Sequence, residues 1–85
     1  IPWHELQRFF ASGLAISVNS NIDLVDVAYQ FSVDNKTQVE QWLTEKIVAP
    51  VSDQQALRWY EENTNVWAVV IKPWVLVQEK TDENN

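Results

Sequence analysis

The chain has 85 residues, with no cysteine, no methionine, one glycine and five tryptophans. Its 6 Lys and Arg against 12 Asp and Glu leave a net charge of −6. A chain this short fits one domain. Without thiols there is no disulfide, zinc–thiolate site, thiol nucleophile or redox centre, and one glycine is too few for a phosphate-cradling loop. Acidity repels phosphate backbones and anionic membranes, so it argues against nucleic-acid or membrane partners.

The longest nearly apolar stretch, residues 66–77, is broken by Lys72 and Pro73 and is shorter than the ~20 residues of a membrane span. No signal peptide is visible. Together with the missing cysteines this points to a cytoplasmic protein. The chain opens at Ile1 rather than Met, so further residues are expected ahead of it and a removed leader stays open.

Residues 2–11 read as a helix, with Pro2 suited to its first turn and Trp3, Leu6 and Phe10 on one face. Gly13 stands where a left-handed C-cap is wanted. Residues 14–18 alternate as a half-buried strand, and Asn19-Ser20-Asn21 is turn chemistry. Residues 22–33 are rich in β-branched side chains, yet Leu24, Val27, Ala28 and Phe31 keep helical spacing. This favours a helix, capped by Asn21 or Asp23.

After the break at Asp34-Asn35, residues 37–46 form a further helix with Val39, Trp42 and Leu43 inward. Thr37 and Glu40 have capping-box spacing. Residues 47–51 make a short strand that Pro50 confines to an edge or an end. Residues 52–62 form a helix capped by Ser52, with Ala56, Leu57 and Tyr60 inward and Trp59 at the border. Residues 66–77 are the last strand, or two strands hinged at Pro73. Its first half, Trp67 to Ile71, is apolar on both faces, as a central strand would be. The tail 79–85 is polar and expected to fray.

The resulting class is α+β: one domain over 1–78, in the order α-β-α-α-β-α-β. The sheet is small and mainly antiparallel, and the helices pack on one side of it.

Residues 22–51 have the two-helices-then-strand layout of a winged helix, and Gln38, Gln41 and Thr44 would be its base readers, with Lys46 the one cation of that helix. The segment holds five carboxylates against two lysines, the reverse of what phosphate anchoring needs. His4 and Glu5 are adjacent, and neighbours on a helix do not face each other. Asp23 and Asp26, with Asp34 downstream, could approach a hard cation but lack a turning loop, and they serve equally as helix N-terminal charge. An enzyme would need a polar pocket around a perturbed carboxylate such as Glu5, Asp23 or Asp26. No catalytic, cofactor or metal residue is therefore assigned, and no small-molecule ligand is identifiable.

Pro73 removes a ladder donor in the middle of the closing apolar run, so Trp74 need not be core. The candidate interaction surface is Pro73, Trp74 and Val75, with Trp67 or Trp3 adjoining. It would serve a protein partner or self-association through an apolar patch or strand addition.

Three segments carry a resemblance: Pro2-Trp3-x-Glu5-Leu6-x-Arg8-Phe9-Phe10-Ala11-x-Gly13, Asp23-Leu24-Val25-x-Val27-Ala28 with Trp42-Leu43, and Trp67-Ala68-Val69-Val70-x-x-Pro73-Trp74-Val75-Leu76-Val77-Gln78. Across residues 1–78 the chain resembles a small bacterial family of unknown function. The resemblance implies a bacterial, cytosolic protein and carries no activity and no functional residues with it. The leading expectation is a non-enzymatic interaction or homo-oligomerising domain, ahead of a degenerate winged-helix regulator and an enzyme of unrecognised type.

Overall fold

A computed structural model describes residues 1–80. A 3-10 turn, Trp3–Leu6, runs into α1 (Gln7–Ala11). There follow β1 (Ala15–Val18), α2 (Leu24–Ser32), α3 (Lys36–Thr44), β2 (Val48–Pro50), α4 (Asp53–Glu61), β3 (Val66–Ile71) and β4 (Trp74–Glu79). The closing run is thus two strands, joined by a tight turn at Lys72-Pro73 whose peptide bond is cis. Glu79 belongs to β4, and the Lys80 amide donates to the Asn65 carbonyl at 3.3 Å, so the fold extends past the expected boundary at 78. The rest of the predicted tail, 81–85, lies outside the described residues.

Short polar side chains start the helices. Asp23 accepts from the Val25 amide at 2.9 Å and Ser52 from the Gln55 amide at 3.1 Å, both as their residue types suggest. For α3 the cap is Asn35, which accepts from the Gln38 amide at 3.2 Å. Asn35 lies two residues before Thr37, just outside the helix, and its side chain reaches the first turn.

All four α-helices end the same way. After α1 the Gly13 amide donates to the Phe10 carbonyl and the Leu14 amide to that of Phe9, both at 2.9 Å. Asp34, Lys46 and Asn63 occupy the equivalent position after α2, α3 and α4, each followed by the same long-range bond. Gly13 has φ +76°, and the other three have φ of 56°, 62° and 54°. These are Schellman ends, and only one of them uses the residue that adopts a left-handed conformation without cost.

The sheet order is β2-β1-β4-β3. β1 pairs antiparallel with β2 and parallel with β4, and β3 pairs antiparallel with β4, placing Ile71 opposite Trp74 and Trp67 opposite Gln78. β2 joins this sheet beside β1 instead of folding back as a hairpin wing, so the winged-helix likeness gains no support.

Helices cover both faces of the sheet, not one. On the first face Ala15, Val66, Val75 and Val77 pack against Trp3, Leu6, Ala56 and Trp59. On the second, Ile16, Val18, Val48 and Leu76 pack against Leu24, Val27, Ala28 and Trp42. The strand buried on both faces is β4, where Val75, Leu76 and Val77 are consecutive and sealed. The run Trp67 to Ile71, expected to be central, is the edge strand β3. Apolar continuity marks both halves of the hairpin equally, and the order of pairing decides which half lies inside.

The helix stripes are rotated from expectation in two places. In α4 the inward pair is Ala56 and Trp59, while Leu57 and Tyr60 face out. Trp59 meets Trp3 edge-on with ring centroids 5.0 Å apart, and Trp3 meets Phe10 at 6.0 Å. Two large rings gain more from that contact than a Leu gains from burial, so they set the helix rotation. In α3 Trp42 is buried, Val39 half-buried and Leu43 exposed.

Candidate interaction surface

The hairpin β3–β4 positions the candidate residues. Side chains alternate across a strand, so Trp67, Val69 and Ile71 of β3 and Trp74, Leu76 and Gln78 of β4 share the face that α2 and α3 cover. The helices cover the middle of that face and leave its ends open. Trp67 is 54% exposed at one end, and Trp74 is 36% exposed at the other.

Around Trp74 lies a groove of about 440 Å³. Its apolar lining is Phe31, Val39, Ile71, Pro73 and Trp74, and Asp34, Lys36, Glu40 and Lys72 stand around it. The groove exists because α2 ends at Ser32 and α3 starts at Lys36, so the turn between them stands off the hairpin tip. At the far end, Trp67 borders a shallower groove with Asp23, Leu24, Val25 and Gln78. The Lys80 ammonium lies 4.4 Å from the centre of the Trp67 ring, a cation–π contact that leaves the other side of the ring in water.

The predicted surface is therefore partly corrected. Pro73 and Trp74 are exposed together at the hairpin tip, and Trp67 is exposed but belongs to the opposite end. Val75 is 1% exposed: it follows Trp74 on the strand and so points to the other face, into the core. Trp3 is 0% exposed, held between Phe10 and Trp59 on the far side of the sheet, with its indole N–H buried and unpartnered among the described residues. Sequence reasoning missed Val25 and Tyr29 on α2 and Val70 on β3, all large apolar side chains more than half exposed. The signal was present for the helix: Val25, Tyr29 and Val33 recur every four residues beside the inward stripe.

The other candidates have structural work. His4 stacks on Tyr60 with ring centroids 4.3 Å apart, and its Nε2 lies 3.0 Å from the Tyr60 carbonyl oxygen. Asp23 caps α2. Gln41, a supposed base reader, donates to Glu45 just past the end of its own helix at 3.3 Å. Glu79 accepts from both Arg58 and the Trp59 indole N–H, each at 3.1 Å, which ties β4 to α4. Among the described residues, no three of His, Asp and Glu gather as a metal-ligand set, and no helix is long and apolar enough to cross a membrane.

Residues 1–79 match the model of a family described as a protein of unknown function, DUF2288. The chain belongs to the DUF2288 family. It is also similar to a protein solved by NMR, PA1075 from Pseudomonas aeruginosa. The two are 36% identical with a TM-score of 0.89, over all of this chain and 79% of the other. No curated protein matches. The likeness to the solved neighbour fits the α+β domain described above, and the description of DUF2288 assigns no activity to it.

Proposed function

We propose that this DUF2288 domain is a non-enzymatic, cytosolic protein-interaction domain that docks through the outer side of its β3–β4 hairpin. The observation that carries the reading is the contrast within that hairpin. Val75, Leu76 and Val77 are sealed, while Trp67, Val70 and Trp74 stay in water on the same two strands. Two large aromatic rings left exposed around apolar grooves are what a docking surface needs and what a free monomer gains nothing by keeping. The capping and packing roles of His4, Asp23 and Glu79 account for those polar groups without chemistry, and the absence of cysteine suits a reducing compartment.

A benzophenone amino acid installed at position 74 tests this in cells of the source. Irradiation is expected to give discrete protein adducts from position 74 and none from position 62, an exposed site just beyond α4. Equal yields at both positions, or none at 74, would overturn the reading.

A further inference from the structure

We infer that the groove at Trp74 is the contact face of a weak homodimer, in which the Lys72-Pro73 turn of each copy enters the groove of the other about a two-fold axis. The inference rests on the docking reading above and names the occupant of one end of that surface. The groove has two unlike walls. One is the hairpin turn, a convex edge carrying Lys72 and Pro73. The other is the turn between α2 and α3 with the start of α3, carrying Asp34, Lys36 and Glu40. Half-buried Phe31, Val39 and Ile71 lie between them beside Trp74. A convex edge next to a concave one is self-complementary in shape, because a two-fold axis running between them sets each edge into the other's hollow.

Charge points to the same occupant. Of the six basic side chains, Arg58 is paired with Glu79, and Arg8 and Lys80 lie over the rings of Phe9 and Trp67. Two of the other three, Lys36 and Lys72, stand at this groove with Asp34 and Glu40. The patch is therefore neutral, and the remaining 4 bases and 10 acids of the chain carry the whole net charge of −6 elsewhere. Two copies repel in most orientations and lose that repulsion when they meet here. The signs also fix the axis. The hairpin wall is positive through Lys72, and the helix wall, with two carboxylates and one lysine, is negative. An axis across the groove would set Lys72 against its own copy. An axis along the groove brings Lys72 of each copy to Asp34 and Glu40 of the other, and does so twice.

The groove stands at the hairpin tip. Ile1 pairs with Val66, the first residue of β3, and Glu79 lies opposite Val66 across the hairpin. Both are at the other end of the strands, about 17 Å from the tip. Ten residues line the groove, against about 20–30 a side in a standard interface. The dimer is accordingly weak, with a Kd on the order of 10–100 µM. Exposed ion pairs add little affinity; they set the register, and covering the 36% of Trp74 now in water supplies the attraction.

Sedimentation velocity of the full-length protein between about 1 µM and 1 mM tests this, with a monomer–dimer equilibrium as the expected result. Lys72→Glu should weaken it by about fivefold or more, since each dimer contains the substitution twice. Asp34→Lys combined with Glu40→Lys should weaken it similarly, although the net charge of each chain moves from −6 to −2 and overall repulsion falls. Lys46 already holds the position equivalent to Asp34 at the end of α3, so lysine keeps that helix end. Mixing the two variants should give a heterodimer of at least the unaltered affinity, because every contact across the axis again joins opposite signs. A monomer at about 1 mM, tighter self-association of the Asp34 and Glu40 variant, or a mixture that stays monomeric would overturn the inference. If the protein is monomeric yet position 74 yields adducts with a different protein, only the second copy is refuted. If neither appears, the docking reading fails with it.

Discussion

Trp3 and Trp59 on one side of the molecule, and Trp67 and Trp74 on the other, are the same residue type in opposite situations. The first pair meets ring to ring beneath β4, each brought by a different helical element and each sealed. The second pair sits on adjacent strands of one hairpin and stays in water. Burial therefore depends on whether distant elements converge on a ring. The N-terminal turn and α4 converge on the first pair, while α2 and α3 stop short of both ends of the hairpin.

The largest effect that tests this contrast is Trp59→Ala. It empties the aromatic contact and should cost about 3–5 kcal/mol, read from the denaturant midpoint. If Trp67→Ala cost as much in dilute protein, the division into sealed and open rings would be wrong.

Next comes Gly13→Val, just past α1, the helix that continues from the turn carrying Trp3. A Cβ there would meet nothing within 4 Å, so the expected loss of about 1–2 kcal/mol is purely the left-handed backbone. Gly13→Ala should cost nearly as much, whereas a steric origin would make it far milder. On the other layer, α3 ends at Lys46 with φ 62°. Lys46→Gly should raise stability by about 0.5 kcal/mol, the relief of that conformation less the looser unfolded chain. A loss would show that the Lys46 side chain contributes more than its backbone costs. The smallest effect is that of Trp67→Ala on the thermal stability of dilute protein. At an exposed edge position it should stay within about 0.5 kcal/mol.

Much of the fold was legible because its signals are local. The stripe Leu24, Val27, Ala28 identified α2 against its β-branched composition, and Ser52, Asp23 and Gly13 marked helix ends by residue type alone. What failed depended on partners far away in the chain. Leu57 and Trp59 compete for the inside of α4, and the outcome rests on Trp3, more than fifty residues earlier in sequence. β3 and β4 are equally apolar, and β4 becomes central only because β1 adds to it in parallel. The left-handed residues Asp34 and Lys46 were hidden because neither is glycine. Of the candidate surface, Pro73 and Trp74 were readable from the proline alone. Val75 was lost to strand alternation, and Trp3 to a ring contact no pattern announces.

The bond pair between Ile1 and Val66 has a practical consequence. Any residues ahead of Ile1, native or added, would leave Ile1 running alongside β3, past Trp67 toward Ala68 and Val70. Even a short extended segment there would lie beside β3 as a neighbour strand and occupy the edge. Purification handles at that end would then change what the protein binds, so a measured mass or binding partner should be compared between an N-terminally tagged preparation and one from which the tag has been cleaved.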